Sequence, residues 1–136
     1  MAVTWRLAAQ LRSESGGRQV ILLTQNHRLT RYATAEILRD AGYDVVEAAD
    51  GREALSLLKR HSFDLIITDI LMPNPGGLAV AARARLQWPK IPIILTGYMT
   101  EIGVATLLAS PMKFLQKPFN AADLTASVQR MLDASC

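Results

Sequence analysis

The sequence predicts an α/β fold, with a five-stranded parallel sheet covered by helices on both faces. Three observations carry the prediction. Apolar runs alternate five times with segments of helical period, the mark of repeated βα units joined by right-handed crossovers. The runs at 20–23, 65–67 and 93–95 are continuously apolar, as strands buried on both faces must be. The length of 136 residues suits one domain with a single closed core.

The elements follow in order. The predicted strands are 19–24, 44–48, 64–68, 92–96 and 113–116. The strand at 44–48 is broken by acidic residues and the one at 113–116 is short, so these two read as edges. Three central strands and two edges fit the order 2-1-3-4-5 of doubly wound, flavodoxin-like sheets. The first helix is expected over 28–41, with Leu29, Tyr32, Ala33, Ile37 and Ala41 as its inward stripe, and Gly42 ends it. The second runs over 51–61, capped by Asp50 with Glu53 three positions on, and turns Ala54, Leu55 and Leu58 inward. The third, 78–87, stops before Pro89. The fourth is expected over 100–109 with Val104, Leu107 and Leu108 inward. The fifth opens at Asn120, with Leu124, Val128 and Leu132 inward. Residues 1–18 stand outside this scheme. They read as an N-terminal extension, flexible or a short helix, ahead of a domain over 19–134 with no output domain.

Composition narrows the function classes. The net charge is +3, and residues 1–18 hold Arg6, Arg12 and Arg18 against Glu14. Elsewhere Arg28, Arg31, Arg52, Lys59 and Arg60 are spread along helices as a solvated face, so no nucleic-acid partner is expected. No apolar run approaches the roughly 20 residues that cross a membrane, so no membrane partner is expected either. The one cysteine, Cys136, cannot form an internal disulfide, and a cytoplasmic setting is expected.

Ligands of open α/β sheets bind at the carboxyl ends of the strands. The first strand ends there in Thr24, Gln25 and Asn26, the third in Thr68 and Asp69, and the fourth in Thr96 and Gly97. The fifth runs into Gln116, Lys117 and Pro118. Asp69 is a carboxylate able to act as nucleophile. Thr96 offers a hydroxyl donor and Lys117 a compact cation, both suited to phosphoryl oxygens. His27, at a helix start, reads as a solvated first-turn residue. No G-x-G-x-x-G follows the first strand, which argues against a dinucleotide-binding enzyme.

These motifs, in this order, resemble the receiver domain of two-component response regulators. They are TDILMP at 68–73 with Gly77 and Leu78, LTG at 95–97 and FLQKPF at 114–119, supported by AGY at 41–43 and ADGREAL at 49–55. The resemblance implies that Asp69 is the phosphoacceptor, that Thr96 and Lys117 contact the phosphoryl group, and that Phe114 is the switch aromatic. It implies a histidine kinase or phosphotransfer protein as phosphoryl source. It also implies a downstream protein meeting the face of the fourth helix, fifth strand and fifth helix, with a homodimer possible.

The chain departs from the family at one decisive place. The family ends the first strand with two acids that, with the phosphoacceptor, hold Mg²⁺. Here those positions are Gln25 and Asn26. Any metal set would reduce to Asp69, Asn26 and the Leu71 carbonyl. A dication and a carboxylate at ~4 Å and effective ε ~20 attract by about 8 kcal/mol before desolvation. If ~2–3 kcal/mol per acid survives, each missing acid weakens Mg²⁺ by about two orders of magnitude. Mg²⁺ is therefore expected to bind weakly or not at all. A direct Asp69–Lys117 ion pair is expected at rest, with slow or absent phosphorylation by small donors. Leu71 and Tyr98 add apolar bulk near the site. The alternative expectation is an atypical pseudo-receiver that keeps the fold and signals by association alone.

Overall fold

The structure is a computed structural model that describes residues 17–135. Both expectations for residues 1–18, flexible or helical, therefore fall almost wholly outside the described residues, as does Cys136. The elements are β1 (Val20–Thr24), α1 (Arg28–Asp40), β2 (Asp44–Ala48), α2 (Gly51–Arg60), β3 (Leu65–Asp69) and α3 (Gly77–Gln87). There follow β4 (Ile93–Gly97), a 3₁₀ turn (Met99–Glu101), α4 (Ile102–Ala105), β5 (Met112–Gln116) and α5 (Ala121–Ser135). The strands form one parallel sheet in the order β2-β1-β3-β4-β5. This is the flavodoxin-like order expected. β3 and β4 each end one residue later than the sequence pattern suggested, so Asp69 and Gly97 are the last strand residues.

Alternation along the strands divides the core. Leu22, Ile66, Ile93 and Leu95 face the layer of α2 and α3, and meet Ala54, Leu58, Val80, Ala81 and Ala84. Ile21, Leu23, Leu65, Ile67 and Ile94 face the layer of α1 and α5, and meet Ala35, Leu38, Leu124, Val128 and Leu132. These side chains are nearly all fully buried. At roughly 1.5–3 kcal/mol for each fully buried aliphatic side chain, the two layers supply the main drive for folding.

The caps behave as expected at two helices. Asp50 Oδ1 accepts from the Glu53 N–H at 2.8 Å while Glu53 Oε1 accepts from the Ala49 N–H at 2.7 Å. Asn120 Oδ1 accepts from the Asp123 N–H at 2.7 Å. Gly42 ends α1 at φ +102°, a conformation that costs glycine little and other residues much.

Three expectations are corrected. The buried face of α1 is Thr34, Ala35 and Leu38, whereas Leu29 and Tyr32 are 74% and 59% exposed. Ala33 and Ala41 are also exposed, and Ile37 is half-buried. The fourth helix is a 3₁₀ turn and four residues of α-helix, not a ten-residue helix over 100–109. Four of the seven residues Thr100–Thr106 are β-branched and one is Gly103, which lowers helix propensity. Only Ala105 of this α-helix is buried, while Val104 is 38% and Leu107 74% exposed. His27 is the N-cap of α1 and not a first-turn residue: its Nδ1 accepts from the Thr30 N–H at 3.3 Å.

Candidate functional site

Strand register assembles the site. Thr24 pairs with Thr68, so the next residues, Gln25 and Asp69, lie side by side at the ends of β1 and β3. Asp69 pairs with Thr96 on β4. The β4–β5 ladder continues through the Lys117 N–H to the Gly97 carbonyl at 2.8 Å, which brings Lys117 over the same edge. Four residues spread over 93 positions of the chain thus meet at one point.

That point is Asp69 Oδ1. Lys117 Nζ lies 2.9 Å from it. The Thr96 hydroxyl donates to it, and Gln25 Nε2 donates to it at 3.4 Å. Asp69 is 4% exposed, and Gln25 and Thr96 are fully buried. The direct ion pair expected between Asp69 and Lys117 is present. Gly77 lets the start of α3 close behind the acid: a Cβ there would collide with the Asp69 carbonyl oxygen and Ile70 Cα.

The two amides separate. Gln25 is buried and aimed at Asp69, whereas Asn26 is exposed in the turn before α1. Gln25 is held at three places. Its N–H donates to the Ala48 carbonyl at 3.2 Å, its carbonyl accepts from Arg31 at 2.8 Å, and its amide donates to Asp69. Arg31 also pairs with Glu47 at 3.3 Å, and its side chain is only 15% exposed. This corrects its reading as part of a solvated face. Sequence reasoning missed its role because an arginine one turn into a helix looks the same whether it meets water or a strand end.

On the other side, the Tyr98 ring lies 5.8 Å from Lys117 Nζ. The loop bearing Tyr98 is closed by Glu101, which the sequence reading also missed. Its Oε1 accepts from the Tyr98 N–H at 2.7 Å and its Oε2 from the Thr100 hydroxyl. These two hydrogen bonds, with a smaller contribution from the charge of Lys117, hold the Glu101 carboxyl below the usual carboxylate range against the opposing effect of burial. Phe114 is half-buried on the edge strand β5 and packs against the α2/α3 layer of the core. Leu71 is 67% exposed. An open groove of about 730 Å³ adjoins the site, with Leu29, Ala33 and Ile37 of α1 on one wall and Pro118 and Phe119 on the other. His27, Lys117 and Tyr98 also line it.

The sequence profile of the response regulator receiver domain matches residues 8–129. The chain belongs to that family. It is 32% identical to the transcriptional regulatory protein PdtaR of Mycobacterium tuberculosis over 111 residues, covering 80% of this chain and 54% of the relative. It is 33% identical to the aerobic respiration control protein ArcA of Escherichia coli over 113 residues, covering 82% and 48%. The receiver therefore spans about half the length of these curated relatives. Among solved structures, it is similar to a response regulator receiver protein from Sinorhizobium medicae, with TM-score 0.80, 30% identity and coverage of 86% and 96%. The chemotaxis protein CheY4 of Vibrio cholerae matches with TM-score 0.77, 30% identity and coverage of 85% and 99%.

Receiver domains generally bind Mg²⁺ at an acidic site. The groups around Asp69 in this receiver are an ammonium, a hydroxyl donor and an amide N–H. All three present hydrogens to the carboxylate where a metal requires lone pairs. Among the described residues no three His, Cys, Asp or Glu side chains converge.

Proposed function

We propose that this receiver accepts a phosphoryl group on Asp69 from a histidine kinase or phosphotransfer protein. It passes the change to a downstream protein through the face of α4, β5 and α5. The observation that carries this reading is the convergence of Lys117, Thr96 and Gln25 on one oxygen of a buried carboxylate. Such donors, fixed around a buried carboxylate, are what phosphoryl transfer asks of a protein. The residues do not fit a Mg²⁺ ion, because Asp69 is their one carboxylate and its Oδ1 already meets a cation. The exposed apolar wall of the groove beside the site supports docking of the donor protein there. Exposed Met99, Ile102 and Leu107 support a protein contact at α4, with a downstream partner or a second copy.

The test is intact-mass spectrometry of the full chain during incubation with acetyl phosphate, with Asp69→Asn as control. The expected result is slow accumulation of one phosphoryl adduct that the control lacks. No adduct in the folded protein supports the second reading, an atypical pseudo-receiver that signals by association. The direct Asp69–Lys117 pair favours that reading, since it neutralises the acid without a phosphoryl group.

A further inference from the structure

We infer that the site holds a phosphoryl group without any divalent cation, and that Gln25 is the residue that makes this possible. The inference rests on the reading of Asp69 as phosphoacceptor. It goes beyond that reading in assigning the group that receives the transferred oxygens.

Charge comes first. Asp69 carries −1 and Lys117 +1 at 2.9 Å, so the pair is neutral as it stands. The other nearby acid, Glu101, turns both oxygens onto Tyr98 and Thr100. The site has no surplus negative charge that a metal must cancel before an anionic donor approaches.

Geometry comes second. Gln25 Nε2, Thr96 Oγ1 and Lys117 Nζ approach from three different strand ends and meet at one position, which Oδ1 occupies at rest. When a carboxylate oxygen of Asp69 attacks the phosphorus of acetyl phosphate, the bond between phosphorus and the acetyl oxygen breaks, and acetate leaves with the electron pair. No proton has to move. The phosphoryl oxygens then replace Oδ1 as acceptors for the same three donors.

The third argument is the state of Gln25 itself. Its Oε1 is buried and has no hydrogen-bond partner among the described residues. Burying an unpaired amide oxygen is unfavourable, and a residue serving only to end a strand need not bear that cost. Turning the amide over would set Oε1 against the carboxylate. The amide is therefore held with its N–H groups toward Asp69, and Ala48 and Arg31 fix its backbone in that position.

The experiment compares the full chain with Gln25→Leu and Gln25→Asp. Each is stripped of divalent ions and incubated with acetyl phosphate, with and without added Mg²⁺. Intact mass gives the rate of adduct formation. The unaltered chain is expected to react at the same slow rate in both conditions. Gln25→Leu is expected to be slower by about tenfold or more in both, the cost of losing one donor to the transferring group. Gln25→Asp is expected to react only with Mg²⁺. An adduct that forms in the unaltered chain only with Mg²⁺ overturns the inference and leaves the phosphoacceptor reading intact, and so does an unchanged rate in Gln25→Leu. A second measurement covers the case in which acetyl phosphate gives no adduct at all. Fluoride NMR with fluoroberyllate, a phosphoryl mimic, is expected to show bound resonances in metal-free buffer that Gln25→Leu lacks. Bound resonances without an acetyl phosphate adduct uphold the cradle and restrict the phosphoryl source to a donor protein. Their absence without metal sinks the cradle.

Discussion

Asp69 and Gln25 show how much one side chain decides at a strand end. Gln25 sets an amide donor where a carboxylate would set an acceptor, and so decides the sign of what Asp69 meets. The double variant Gln25→Asp, Asn26→Asp is expected to phosphorylate in a Mg²⁺-dependent way and to gain a metal-induced rise in melting temperature; thermal melts with and without Mg²⁺ check this, and no shift means that the two amides are not the cause. Glu101 sets a second residue-scale expectation. Its folded pKa lies below its ordinary value of 4.5, so its contribution to stability is fully present above that value and is lost as pH falls through the folded one. Glu101→Gln should flatten this part of the acid limb in denaturation measured from pH 6 to pH 3, roughly the span of carboxylate titration. An acid limb identical to that of the unaltered chain would show that the loop does not depend on this charge.

Elements hold these residues in place, and two contacts between elements are open to test. Gly77 begins α3 directly behind Asp69, where a Cβ has backbone on its far side. Gly77→Ala is expected to cost about 2–3 kcal/mol, read as a lower denaturation midpoint, because the atoms it meets are not side-chain ends that can swing away. Arg85 joins α3 to the start of β4 and the loop before β5. Its guanidinium donates to the carbonyls of Ile91 at 2.8 Å, Ala109 at 2.8 Å and Pro111 at 2.6 Å. Burial lowers its pKa from the ordinary value, yet an arginine stays charged at any physiological pH. Arg85→Ala is expected to lose about 2–3 kcal/mol and to speed amide exchange around residues 107–113, since three carbonyls lose a charged donor together. Unchanged exchange there would show that the loop is held by other contacts. This clamp was not legible in the sequence, because Arg85 sits on a helix among other exposed positions and its partners are backbone atoms 6 to 26 residues away.

The whole molecule brings α1, the loop after β4 and the loop after β5 around one opening. The apolar stripe of α1 is legible in the sequence as a stripe, but Leu29 and Ala33 line a groove where only Ile37 also packs on the core. Periodicity reports that Leu29, Ala33 and Ile37 share a face and does not say whether the sheet or a groove lies against it. Leu29→Asp is expected to reduce phosphotransfer from a histidine kinase at least about tenfold, a loss of roughly 1.4 kcal/mol of contact, while acetyl phosphate labelling stays unchanged. Equal losses with both donors would show damage to the site and no specific docking there.

The sequence by itself determined the α/β architecture, the strand order and the polar residues that end four of the strands. Alternation of apolar runs, caps and motif spacing are local signals, and the sheet's right-handed connections leave few ways to combine them. Tertiary structure alone decided that Gln25 is buried and donates to Asp69 while Asn26 faces water, that Arg31 and Glu101 brace the two flanks, and that the fourth helix is barely a turn. Each of these depends on which atoms from distant strands arrive within hydrogen-bond distance. That is set by register and packing across the sheet, and the identity of the neighbouring residues in the chain does not encode it.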